Sequence, residues 1–140
     1  MFNTSISIDT LNSMSKGNMI EHLGIEFTEI QPGFIKAKMP VDHRTKQPLG
    51  LLHGGASVVL AETLGSVAVV LAVKDPKAET GVGVEINANH LKSARGGYVI
   101  GTCTPLRIGR KIHVYEIKIH DEEENLICAS RLTVAIIPLQ

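Results

Sequence analysis

His53-Gly-Gly-Ala-Ser-Val-Val-Leu-Ala-Glu-Thr-Leu-Gly-Ser-Val-Ala-Val-Val-Leu-Ala-Val73 decides the reading of this chain. The run is apolar on nearly every side of a helical wheel. It therefore predicts a helix enclosed by other elements rather than laid on a surface. Lys74 to Lys77, with Pro76, ends it. Between Lys46 and Lys74 the only formal charge is Glu62. An ionised carboxylate in apolar surroundings is costly unless it is paired or hydrogen-bonded, and such a residue is a candidate for chemistry. The run is as long as a membrane span. Glu62, Ser57, Thr63, Ser66 and three glycines, with no Trp or Tyr at either end, set that reading aside.

Outward from the helix the periodicity changes to that of strands. Upstream, Ile25 to Ile30 reads as a strand, Pro32-Gly33 as a turn, and Phe34 to Met39 as the return, with Ile35, Ala37 and Met39 on one face. Earlier still, Ile8 to Glu21 predicts one or two short helices, capped at Asp9 and ending at Gly24. Pro40 to Leu52 is a loop. Downstream, Val82, Val84, Ile86 and Ala88 alternate with Gly83, Glu85, Asn87 and Asn89. Strands at Tyr98 to Thr104, Ile112 to His120 and Leu126 to Ile136 follow, separated by turns at Arg95-Gly96-Gly97, Gly109-Arg110 and Asp121 to Asn125. The expected order is a hairpin, one long buried helix, then an antiparallel meander curled around it. Residues 1–140 form one α+β domain.

Composition narrows the function. With 14 basic and 14 acidic residues the net charge is zero, which argues against a nucleic-acid partner. No basic amphipathic helix suggests a membrane partner. Cys103 and Cys128 lack metal-site spacing and read as buried, reduced thiols. Met1 to Asp9 lacks the pattern of a signal peptide. A cytoplasmic enzyme or binding domain is expected.

Gly54 and Gly55 sit at the helix start, where backbone N–H groups lack partners and the helix dipole is positive. That position suits an anion or a carbonyl oxygen that becomes anionic. Packing at a loop–helix junction is the plainer explanation for the glycines alone. His53 could orient a substrate carbonyl or hold the loop, and Gln47 could position a water or a thioester. Glu62 could be tied to Arg131 or to Ser66 one turn on. Gly65 and Ser66 are small, which would leave room for a pocket. Gly54 and Glu62 are eight residues apart, about 12 Å along a helix. Both must approach the same reacting carbon within about 3 Å, so one helix can hardly supply both. A two-fold dimer, with the helix start of one subunit facing Glu62 of the other, resolves the distance.

Gln47-Pro-Leu-Gly-Leu-Leu-His-Gly-Gly55 followed by Ala61-Glu62-Thr63 resembles the hotdog-fold acyl-CoA thioesterases, in the phenylacetate-pathway and 4-hydroxybenzoyl-CoA group. Met39-Pro-Val-Asp-His-Arg-Thr45, Glu85-Ile-Asn-Ala-Asn-His90 and Ser130-Arg-Leu-Thr133 are similar to the branch acting on 1,4-dihydroxy-2-naphthoyl-CoA and related aroyl-CoA esters. The likeness runs from about Leu11 to Ile137. It implies an antiparallel sheet wrapped around one central helix, with Glu62 as nucleophile or as the base that activates water. It also implies the Gly54 N–H as oxyanion donor, Gln47 and His53 orienting the reacting groups, and Ser66 supporting the water or the acyl ring. Gly55, His90, Lys92, Ser93 and Arg95 would then meet CoA. No metal or organic cofactor is implied, and the dimer would pair into a tetramer. Two rivals stand beside this: a hydroxyacyl-thioester dehydratase, whose His-Phe-Pro-Gly loop is absent here, and a non-catalytic acyl-CoA-binding domain, which would have no use for Glu62.

Overall fold

The apolar run folds as a 19-residue helix around which the rest of the chain is arranged. The computed structural model describes residues 1–140. In chain order the elements are α1 (Ile8–Met14), α2 (Met19–His22), β1 (Glu26–Gln31), β2 (Phe34–Pro40), α3 (Gly54–Ala72), β3 (Glu79–His90), β4 (Tyr98–Ile108), β5 (Ile112–Asp121) and β6 (Leu126–Pro138). Six antiparallel strands form one sheet in the order β1-β2-β4-β5-β6-β3, and α3 packs against five of them.

Packing rather than propensity holds α3. Its five valines each cost up to about 0.7 kcal/mol against alanine in a helix. Burial of Leu60, Leu64 and Leu71 contributes roughly 1.5–3 kcal/mol apiece. Their core partners include Ile35, Ala37 and Met39 of β2, Val99 and Cys103 of β4, Tyr115, Ile117 and Ile119 of β5, and Leu132 and Val134 of β6. Helix and sheet approach closely at Gly65, where a Cβ would run into Leu132 Cδ2. Gly65 therefore makes room for the core, not for a pocket beside Glu62.

Four expectations need correction. α1 is capped by Ser7, whose hydroxyl accepts from Thr10 N at 3.1 Å, with Asp9 inside the first turn. The meander is only β4-β5-β6, because β3 joins the sheet beyond β6 instead of beside β4. α3 is not fully enclosed: Gly55 and Ser66 are exposed, and Val58, Val59, Glu62 and Val70 half-buried. These residues lie along one open stripe of the helix. Finally, Val82, Val84, Ile86 and Ala88 do not share one face. The β3–β6 ladder shifts register between Gly83 and Glu85, leaving Val84 as the extra residue of a bulge. Ahead of the bulge Gly81 and Gly83 face the helix, and after it Ile86 and Ala88 pack on the core. One inserted residue reverses which parity points inward. Val82 and Val84 are left exposed on a strand whose outer edge has no partner.

Candidate active site at the start of the central helix

The loop before α3 is folded tightly enough to fix what it carries. Thr45 is buried and donates its hydroxyl to Pro40 O at 2.6 Å. Arg44 closes on Asp42 at 2.7 Å and holds that carboxyl at about 2. Lys46 and Leu52 form a bridge, and Gln47 N and Gly50 N close the turn onto Leu51 O and Gln47 O. Gly50 takes a φ of 79°, a conformation that favours glycine. Gln47 Oε1 accepts from Leu49 N, so the side-chain carbonyl is occupied and the amide N–H groups remain free to donate.

His53 caps α3. Its Nδ1 accepts from Gly55 N at 2.8 Å, its own N–H donates to Thr45 O, and its carbonyl takes the N–H of Ala56 and Ser57. An imidazole nitrogen replaces the usual cap oxygen, and accepting at Nδ1 leaves the proton on Nε2. The Gly55 N–H is thereby used up, and the space beside Gly55 is held by the same ring, since a Cβ there would lie 2.9 Å from His53 Nδ1. The Gly54 N–H has no acceptor in the chain. Above Gly54 lies the ring of His90: a Cβ there would sit 2.7 Å from His90 Nε2. The glycine is what lets the imidazole approach the helix start.

Beside this end of α3 opens a cleft of about 220 Å³ lined by Gln47, Leu51, Leu52, Ser57, His90, Leu91, Lys92, Ser93 and Ile127. It gathers Gln47, His90, Lys92 and Ser93 of the expected residues. Leu91 N and Lys92 N both bond Ile127 O, which ties that side of the cleft to β6. Arg95 is exposed and does not line it. Ser57 does, although in the sequence it is only a polar break in the apolar run. A serine one turn into the helix carries no signal that separates a cleft wall from a core position.

Glu62 does not line this cleft. It is half-buried, with no hydrogen bond or ion pair to any group of the chain. Arg131 does not pair with it, because β6 places Arg131 on the exposed side between Ser130 and Leu132, opposite Asn87 and Glu116. Ser66 is exposed and does not bond to it either. The carboxylate lies instead over β3: a Cβ on Gly83 would be 2.5 Å from Glu62 Oε1. Both cysteines are buried and free, and burial pushes both thiols up.

Arranged this way, one chain offers a free backbone donor at the helix start, close to the cleft, and an unpaired carboxylate about two turns along. Residues 49–128 match the thioesterase superfamily. The chain is 53% identical to the 1,4-dihydroxy-2-naphthoyl-CoA hydrolase of Escherichia coli, over 94% of this chain and 96% of that one. It is 47% identical to the proofreading thioesterase EntH of Cronobacter turicensis, over 94% of each. A crystal structure of a Haemophilus influenzae thioesterase superimposes with a TM-score of 0.94 at 46% identity, covering 99% of this chain and 95% of that one.

Proposed function

The chain belongs to the thioesterase superfamily, with the hotdog fold, and is a thioester hydrolase; from that premise we propose that it splits an aroyl-CoA, with 1,4-dihydroxy-2-naphthoyl-CoA as the type, into free acid and CoA. One observation carries the site: the Gly54 N–H has no acceptor, at the positive end of a 19-residue helix and next to His90, which lines the neighbouring cleft. That donor takes the thioester oxygen as it becomes anionic. The Gln47 amide and His53 orient the thioester. Glu62 either attacks the carbonyl carbon, so that the CoA thiolate leaves and water then hydrolyses the resulting anhydride, or takes a proton from a water that attacks the carbon and expels the thiolate directly. Ser66, one turn beyond Glu62, faces the water or the acyl ring. Lys92 and Ser93 meet pantetheine or phosphate at the cleft, and Arg95 meets phosphate outside it.

The reading requires two copies. About 12 Å of helix separates Gly54 from Glu62, so each site takes its donor from one protomer and its carboxylate from the other. The unpartnered edge of β3, exposed Val82 and Val84, and the open stripe on α3 supply a surface for the pairing. The free buried thiols of Cys103 and Cys128 suit the cytoplasmic setting proposed with it.

Steady-state hydrolysis of a panel of aroyl- and alkyl-CoA esters, read as thiol release, tests the proposal. Glu62→Gln is expected to lower kcat by about 10²–10⁴-fold while substrate still binds, and the aroyl esters are expected to show the highest kcat/KM. Undiminished turnover in Glu62→Ala, or an enoyl product without free thiol, would overturn it.

A further inference from the structure

We propose that Gly83 is a positioning residue for the Glu62 carboxylate, a proposal that rests on Glu62 being the reacting group. Glycine inside a strand weakens it and needs a reason. Backbone conformation is not the reason here: the glycines at positive φ are Gly17, Gly24, Gly50 and Gly97, and Gly83 is not among them. Space is. A Cβ on Gly83 would lie 2.5 Å from Glu62 Oε1, 3.6 Å from its Cδ and 3.9 Å from Leu132 Cδ1. The volume a side chain would fill is held by the carboxylate. Gly81, two residues earlier on the same face, is different, since its Cβ would meet the methyl groups of Val134 and Val69. Gly81 serves packing; Gly83 accommodates the one charge on the helix.

The seat is built where β3 departs from a regular ladder, because the bulge at Val84 follows directly. Bulges occur next to active sites, where they re-aim a strand. Glu62 has no hydrogen bond or ion pair in the chain, and the absent side chain at Gly83 is what leaves it room on the side facing β3. The arrangement locates the carboxylate by shape and leaves both oxygens unpaired for water or thioester. Displacement of the reacting group by an ångström lowers the rate by up to about 100-fold.

Gly83→Ala tests this in the full-length protein. The expected result is a loss of about 10–100-fold in kcat with KM within about twofold of the parent. Shortening the carboxylate withdraws it from the added methyl. Gly83→Ala is therefore expected to cost less than about twofold in kcat when added to Glu62→Asp. Gly81→Ala is the packing control, expected to lower the melting temperature while kcat stays near that of the parent. A parent-like kcat in Gly83→Ala, alongside an inactive Glu62→Gln, sinks this inference and leaves the proposed function standing. An active Glu62→Gln fails the function itself. A kcat loss of the same size in the Glu62→Asp background, or a larger fall in melting temperature than Gly81→Ala shows, would mean the strand rather than the carboxylate is disturbed, and the proposal falls.

Discussion

At the helix start, two adjacent residues divide the exposed N–H groups between them. His53 satisfies Gly55 from its own ring, and Gly54 is left with a donor and no acceptor. Sequence shows both glycines as equivalent, since nothing in His-Gly-Gly says which N–H the imidazole will take. Glu62 was legible for the opposite reason: a lone charge in an apolar run stands out whatever the register. Its proposed partner Arg131 was not, because facing direction on β6 depends on how the strand joins the sheet. The other buried titratable residue of note is His113, whose Nδ1 lies 2.9 Å from the Tyr115 hydroxyl. Burial lowers its proton affinity below the ordinary 6.5. As pH falls below 6.5 the unfolded chain takes up a proton that the folded chain does not, so stability declines toward acid through that window. Urea unfolding on either side of that pH should show a shallower decline in His113→Gln than in the parent. An identical slope would show that His113 does not contribute.

Among the elements, β3 departs most from its sequence pattern. Its alternation is real on each side of Val84, and the run forms the strand that its spacing predicts. The bulge is invisible in the letters because it depends on a mismatch with β6, a strand more than forty residues away. Strand order is hidden for the same reason: adjacency in sequence suggests β3 beside β4, whereas the chain crosses over to put β3 at the edge. α3, by contrast, was legible nearly to the residue, since length, apolarity and Pro76 are all local. An edge that is long, apolar and unprotected invites pairing unless charge blocks it. Val82→Lys with Val84→Lys is expected to shift the protein toward monomer in light scattering and to lower kcat at least tenfold. A fully active variant with unchanged mass would show that pairing does not use this edge.

Taken as a whole molecule, the hotdog sheet covers α3 on one side only. The open stripe carrying Glu62 and the edge of β3 belong to the same uncovered region, while the cleft with Gln47 and His90 lies at the end of the helix. Composition foretold a single enclosed helix because a hydropathy pattern does not say whether the missing cover comes from the same chain or another copy. Mixing a Glu62→Gln protein with a Gln47→Ala, His53→Ala protein separates the two. Hybrid dimers retain one intact shared site, so activity should recover to about a quarter of the parent for random pairing, by the symmetry of a two-fold site. Verified heterodimers without recovered activity would count strongly against a shared site.

The bulge at Val84 also divides β3 into a place where a residue can be lost and a stretch where it cannot. Removing Val84 would leave Gly83 opposite Val134 and Glu85 opposite Thr133 in an unbroken ladder, with Gly83, Ile86 and Ala88 still facing inward. Removing one residue farther along, between Ile86 and His90, would turn everything beyond the gap to the opposite face, and His90 would leave its place over Gly54. Natural variation in the length of this strand should therefore fall at the bulge and spare the stretch after it, because residue count there joins the helix core to the cleft.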